Sequence, residues 1–209
     1  MIVPMPGRDE WLDVARSATT EDLRELILTG FKDGKPFTPY QPTIALPAPI
    51  DWVLDFGCGL GRNFPCVRTL GRHVAGFDLP PMIARCRELG EPVDLLSDDW
   101  NDVKSRRFDL IFASLVLQHI EVDAVRTYLA DFARMAPHTY LLTRDTGDFH
   151  ARVLDLVAES DVFDAGECTI VDHDPETHQL RVLGKIPFEA ARRSPEPAHY
   201  EVLLTSRLR

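Results

Sequence analysis

The sequence predicts an α/β fold: a doubly wound sheet, mostly parallel with an antiparallel C-terminal strand, preceded by an N-terminal helical cap. Three observations carry that expectation. From Asp51 to Thr143, short apolar runs alternate with segments of helical period, the pattern of βαβ units whose sheet is covered on both faces. The first apolar run ends in three glycines within five residues, Gly57, Gly59 and Gly61. A break in composition separates residues 1–49 from residues 50–209, with Pro36, Pro39, Pro42, Pro47 and Pro49 falling within fourteen residues.

Residues 1–49 read as a helical cap and its connector. "TTEDLRELILTGF" opens with a capping signal, Thr19 and then Asp22 three residues on, and continues with Leu23, Leu26 and Ile27 on one face. The proline-rich run cannot be helix or central strand, so it is expected to be extended, the tether of a cover that moves over the site. Candidate strands follow at Trp52–Phe56, His73–Phe77, Val93–Leu96, Phe108–Ala113 and Thr139–Thr143. Between them lie helices over Leu60–Leu70, Pro81–Leu89, a short segment near Asn101–Arg106, and Val122–Met135. In the last, Val122, Val125, Leu129, Phe132 and Ala133 share one face. After Thr143 the expected elements are a helix over Phe149–Ala158 and strands at Glu167–Val171 and Tyr200–Leu204, with "HDPETHQ" (173–179) as a turn. Two late strands without a clear helix between them suit an antiparallel edge.

Composition narrows the function. The 209 residues suit one domain with a small appendage, and 44% hydrophobic with 27% charged residues is ordinary for a globular protein. A net charge of -10 argues against a broad phosphate-binding surface, so nucleic acid is not an expected partner. Cys58, Cys66, Cys86 and Cys168 lack CxxC spacing and read as reduced thiols of a cytoplasmic protein. "MIVPMPGRDEW" lacks the pattern of a signal peptide, and no apolar run approaches the ~20 residues of a membrane span. His173 and His178 flank the late turn with too few companions for a metal site, and none is expected.

The glycines mark the candidate site. A strand, a Gly-rich turn and a helix together let a ligand approach the backbone at the helix N-terminus. Asp78 ends the second strand, seventeen residues after Gly61, where a carboxylate can accept both hydroxyls of a ribose. A plain tight turn and a capping Asp are the alternative for each feature alone; on consecutive βα units they point to a nucleoside ligand. The dinucleotide pattern G-x-G-x-x-G requires glycine where Arg62 stands. The spacing present is G-x-G-x-G, preceded by Asp55.

"DWVLDFGCGLGRN" resembles motif I of the class I S-adenosylmethionine (SAM)-dependent methyltransferases, a Rossmann-like family. The likeness continues in order. "GFDLPPMI" resembles the second motif, and "LLSDDWNDV" the segment that frames the adenine. "RFDLIFASLVLQHI" is similar to the fourth-strand motif of the small-molecule branch, and "YLADFARMAPHTYLLTR" to the helix and strand after it. The match runs from about Ile50 to Arg144. It departs from the family in "MAPHTY", which lacks the usual glycines before the fifth strand. Ala113-Ser114-Leu115-Val116 stands where branches that methylate base amines carry Asn/Asp-Pro-Pro-aromatic, which argues against that chemistry.

The resemblance implies SAM as cofactor, S-adenosylhomocysteine as its product, and in-line methyl transfer to a small-molecule acceptor. Protein or RNA methylation, and a non-catalytic SAM-binding partner subunit, are the alternatives. It places Gly57, Cys58 (a variable position), Gly59 and Gly61 under the methionine part, with Asp55 just below. Asp78 would take the ribose and Leu79 flank the adenine, and Asp98 or Asp99 would meet the exocyclic amine. Trp100 would lie beside the ring or serve as core cover, and Ser114 and Leu115 would sit near the sulfonium. His119 is a candidate general base, or a residue that packs or caps.

Overall fold

The computed structural model describes residues 8–19, 22–23, 40–90, 92–145, 152–174, 179–195 and 198–208. The strands are β1 (Trp52–Phe56), β2 (His73–Phe77), β3 (Leu95–Ser97), β4 (Leu110–Ser114), β5 (His138–Asp145), β6 (Phe163–His173), β7 (Leu180–Pro187) and β8 (Ala198–Ser206). They form one sheet in the order β3-β2-β1-β4-β5-β8-β6-β7. The first five are mutually parallel, whereas β8 pairs antiparallel with β5 and β6, and β7 antiparallel with β6. The antiparallel edge expected from the sequence is therefore three strands wide. The strand order reverses between β1 and β4, which opens a crevice at the carboxyl ends of those strands.

Strand alternation sends side chains into two cores. Leu54, Phe56, Ile111, Ala113 and Leu141 face α5 (Val122–Met135) and α6 (Val153–Ser160). Val53, Val74, Leu110, Phe112 and Leu142 face α2 (Phe64–Leu70) and α3 (Pro80–Leu89). Helix α5 forms as expected: Val125, Leu129, Phe132 and Ala133 are buried at helical spacing. Helix α3 starts on two prolines and ends where Gly90 turns left-handed at φ 69°, its N–H bonding the Arg87 carbonyl. Helix α2 begins at Phe64, later than the predicted Leu60, because Gly61 holds φ 85°, a value no α-helix contains.

The later elements differ more. The strand expected at Val93–Leu96 lies at Leu95–Ser97, α4 spans Trp100–Lys104, and the helix expected at Phe149–Ala158 runs from Val153 to Ser160. Strand β6 is much longer than Glu167–Val171 and carries register shifts against both neighbours. Strand β7 and α7 (Phe188–Arg192) were not expected. As the sheet's edge, β7 exposes Val182 and Leu183 and lacks the apolar alternation that marks a half-buried strand.

The N-terminal region is also partly corrected. Helix α1 (Arg8–Ser17) lies ahead of the predicted one. The capping box at Thr19 and Asp22 does form: Thr19 N–H donates to the Asp22 carboxylate (3.2 Å) and Asp22 N–H to Thr19 Oγ1 (3.1 Å). Leu23 is buried, while Leu26, Ile27 and the first prolines fall outside the described residues. The connector from Tyr40 to Ile50 forms neither helix nor strand and is seated: Tyr40, Ile44, Leu46 and Ile50 pack on the α2/α3 side of the sheet. Buried Glu201 on β8 accepts from Tyr140 Oη (2.6 Å) and from Thr43 N–H (3.0 Å), and Thr43 Oγ1 also donates to it. A carboxylate with several donors satisfies itself inside the protein and fixes this part of the connector to the sheet.

Candidate functional site

The site begins where β1 ends. Gly57, Gly59 and Gly61 hold φ of 74°, 56° and 85°, so three residues in this turn occupy the left-handed region that side chains resist. At Gly57 space is also decisive: a Cβ there would lie 2.3 Å from Val116 Cγ2. The N–H groups of Gly57 and Cys58 both donate to the Phe77 carbonyl at the end of β2, at 2.8 and 3.1 Å. The turn is thereby folded down onto the next strand.

Asp78 locks that fold from the other side. Its Oδ2 accepts the Gly59 N–H and its Oδ1 the Leu79 N–H, both at 2.6 Å. Each carboxylate oxygen keeps a further lone-pair direction for a ligand hydroxyl. Burial pushes the Asp78 pKa up to about 6, against the lowering effect of those two bonds. Asp55, 1% exposed on β1, has neither carboxylate oxygen hydrogen-bonded among the described residues. Burial first, and then the nearby Asp78 charge, push its pKa up to about 8, partly offset by Arg62. Two acids that resist ionisation side by side leave a place where an added positive charge would be stabilised.

Arg62 is a residue the sequence reading used only as a departure from the dinucleotide pattern. Its guanidinium lies 4.1 Å over the Tyr40 ring, and burial lowers its pKa to about 10. The following Asn63 has its Oδ1 buried and without a partner among the described residues. The signal was the bare sequence "GLGRN": a charged residue directly behind the glycines. Cys58 is buried in the turn with its thiol pKa raised well above the usual value, chiefly by burial, so it is no nucleophile.

At the end of β4 the backbone is unusual again. Leu115 takes φ 54°, and its N–H donates to the Leu142 carbonyl at 2.7 Å. A branched residue in this region is strained, and such strain collects at functional sites. The Oγ of Ser114 beside it is buried without a partner among the described residues. Thr143 Oγ1 donates to buried Gln118 Oε1 at 3.4 Å, so β5 contributes to the same edge of the sheet. His119 ends the 3₁₀ turn Leu117–His119, and Trp11 of α1 meets its ring edge-on at 6.0 Å.

Helix α1 meets the segments that follow β1, β2 and β4. Ala15 and Leu23 share a small core with Leu60 of the glycine turn and with Met82, and Trp11, Val14 and Leu79 pack against it. Arg85 on α3 donates to the carbonyls of Ala15 (3.2 Å) and Ala18 (2.6 Å), satisfying the open C-terminal end of α1.

The third βα unit separates the two acids the sequence left open. Asp99 is the N-cap of α4 and accepts the Asn101 N–H at 2.9 Å. The Asp98 side chain is exposed and makes no hydrogen bond among the described residues. Trp100 donates its indole N–H to Asp131 (2.9 Å), and its ring packs against Phe56, Phe77 and Tyr128 at 5.6, 5.0 and 5.0 Å. Among the described residues no group of three His, Cys, Asp or Glu side chains could hold a metal, and His178 lies outside them. Among the described residues no helix is long and apolar enough to cross a membrane.

Residues 53–137 match a family model described as a methyltransferase domain. Among solved structures, the N-methyltransferase NodS from Bradyrhizobium japonicum WM9, in complex with S-adenosyl-l-homocysteine, is 14% identical. It aligns over 96% of this chain and 89% of its own, with a TM-score of 0.52. A TehB-like SAM-dependent methyltransferase from Corynebacterium glutamicum ATCC 13032 Kitasato is 16% identical over 95% of each chain, also with a TM-score of 0.52. At these identities the likeness is one of fold. No curated protein sequence matches the chain.

Proposed function

We propose that this protein transfers a methyl group from SAM to a small-molecule acceptor, a reading supported by the match of residues 53–137 to a methyltransferase-domain model and by the likeness of the fold to SAM-dependent methyltransferases. The observation that carries the reading is the pair of buried acids, Asp55 and Asp78, behind three left-handed glycines. A ligand bearing an ammonium and a sulfonium would favour the ionised form of both acids, whereas the pyrophosphate of a dinucleotide would disfavour it.

In this reading Gly57, Gly59 and Gly61 let the methionine part approach the backbone, with Cys58 between them and Asp55 beneath. Asp78 holds the ribose hydroxyls and is itself held by Gly59 and Leu79. Leu79 flanks the adenine. Asp98 meets its exocyclic amine, because Asp99 is engaged as a cap. Trp100 braces the wall behind the ring through Phe77. Ser114 and Leu115 face the reacting end, where SAM supplies, when bound, an electrophilic methyl carbon on a sulfonium. The protein's share of the work is to orient the acceptor over the ends of β4 and β5 and to keep water out. His119, set against Trp11, serves as part of that closure and not as a base. A small acceptor is supported by the charge of -10, which disfavours nucleic acid.

Calorimetry tests the cofactor. S-adenosylhomocysteine is expected to bind saturably and NAD to give no heat; saturable NAD binding with none for S-adenosylhomocysteine rejects the reading. Residues 1–49 are proposed as the cover and residues 50–209 as the core. Amides of Arg8–Ser17 are expected to exchange readily in the free protein and to slow when S-adenosylhomocysteine binds. Protection equal to that of β1 and β4, and unchanged by the ligand, would remove the cover role.

A further inference from the structure

Directly behind Gly61 the chain carries a cation. The Arg62 guanidinium lies 4.1 Å over the ring of Tyr40, which is 7% exposed. Burial holds the Tyr40 phenol above its usual pKa, so the ring is neutral and its face attracts the guanidinium. Arg62, lowered by burial to about 10, keeps its charge at neutral pH. The connector fixes Tyr40 in place. Cys66 Sγ on α2 donates to Gln41 Oε1 at 3.3 Å, and Thr43 N–H donates to Glu201 on β8 at 3.0 Å.

The group this pair acts on is Asp55. It alternates with Leu54 and Phe56 and so points to the side of the sheet where Tyr40 and Phe64 are buried. Neither of its oxygens is hydrogen-bonded among the described residues, so its ionisation is left to burial and to the charges around it. Asp78 at the end of β2 opposes that ionisation, and Arg62 favours it. The thiols of Cys58 in the turn and Cys66 on α2 also face it. Burial pushes both up, Cys66 to about 11, so they stay neutral. Its register partners Gly76 on β2 and Phe112 on β4 carry no charge.

We propose that Tyr40 is a positioning residue of the cofactor site: stacked on Arg62, its ring holds the guanidinium where it serves as countercharge to Asp55, and ionised Asp55 favours a cationic cofactor through its field. The identity of that cofactor rests on the SAM reading. Because the Asp55 oxygens are buried, the effect needs no contact with the ligand; a charge in a poorly solvated site acts over several ångströms. The ligand's ammonium prefers ionised Asp55, so affinity rises with pH through the Asp55 midpoint near 8. A higher midpoint therefore lowers affinity at pH 7 and leaves it almost unchanged at pH 9.

The test uses the full chain with carbon-13 in its Asp carboxyl groups, the Asp55 signal being assigned by its loss in Asp55→Asn. Titrated without ligand, Tyr40→Leu should raise the Asp55 midpoint by about half a unit, whereas Tyr40→Phe, which keeps the ring, should titrate as the parent does. Calorimetry with S-adenosylhomocysteine should then show Tyr40→Leu about two- to threefold weaker than the parent at pH 7 and nearly equal to it at pH 9. The ligand's own titration cancels in that ratio, and a plain packing defect would weaken binding equally at both values. Arg62→Gln removes the charge itself and should raise the midpoint at least as far, with nothing added by Tyr40→Leu in the same chain. An Asp55 midpoint left in place by Tyr40→Leu or by Arg62→Gln would overturn the proposal, as would a Tyr40→Phe protein as impaired as Tyr40→Leu, or an equal loss of affinity at pH 7 and pH 9. A parent whose Asp55 titrates as expected but which binds no S-adenosylhomocysteine rejects the SAM reading, and with it the role in cofactor binding.

Discussion

Asp78→Ala is expected to weaken S-adenosylhomocysteine binding by about 2–3 kcal/mol, about 30- to 150-fold, because charge-assisted bonds to ligand hydroxyls are lost. The structure adds a second consequence. Asp78 also accepts the N–H groups of Gly59 and Leu79, so its removal loosens the turn that the ligand lies on. The stability cost should be about 1–3 kcal/mol, since Gly59 is buried and its N–H is left without an acceptor, whereas Leu79 is partly exposed. Asp78→Asn separates the two effects. An amide oxygen can keep one backbone bond but brings no charge, so stability should recover more than affinity does. Calorimetry and thermal unfolding on the same samples check both numbers. Unchanged affinity in a folded Asp78→Ala protein would remove the ribose role, and a loss of stability without a loss of affinity would leave Asp78 a purely structural residue.

Gly57→Ala should be the most damaging small substitution in the molecule. An L-residue at φ 74° costs about 1–2 kcal/mol. The new methyl would sit 2.3 Å from Val116 Cγ2 and 2.7 Å from Val116 Cβ, so the chain after β4 must move. That chain has little freedom, because Leu115 is already left-handed and tied to Leu142. Overpacking of this kind costs about 1–3 kcal/mol more, for a total of about 2–5 kcal/mol. The ligand site should be lost as well, since both walls of the crevice shift. Val116→Gly in the same chain removes the clash and leaves the backbone cost, so the double variant should regain about half of the loss. A Gly57→Ala protein as stable as its parent would contradict the account.

The two experiments probe links of different kinds. Gly57 acts through backbone geometry, which the glycine spacing announces. Asp78 acts through a carboxylate whose end-of-strand position is equally plain in "GFDLPPM". Other parts of the site had no such mark. "SDDW" offers two adjacent acids of the same local propensity. Only the path of the backbone makes Asp99 the cap of α4 and turns Asp98 outward. Trp100 reads equally well as a ring neighbour or as core cover until Phe56, Phe77 and Tyr128 are seen around it.

What the sequence by itself determined is the parallel half of the molecule. Strands β1, β2, β4 and β5 and helices α3 and α5 are written in apolar runs and helical spacing, which depend on near neighbours in the chain. The glycine turn and Asp78 belong to that local grammar. The tertiary structure alone decided how distant segments meet. Arg62 reaches the Tyr40 ring, Thr43 and Tyr140 converge on Glu201, and α1 crosses from Leu79 and Met82 to His119. It also decided that β7 joins the sheet, though its exposed face carries Val182 and Leu183. These contacts have no periodic trace, because each depends on two segments far apart in sequence that gain stability only when both are buried together.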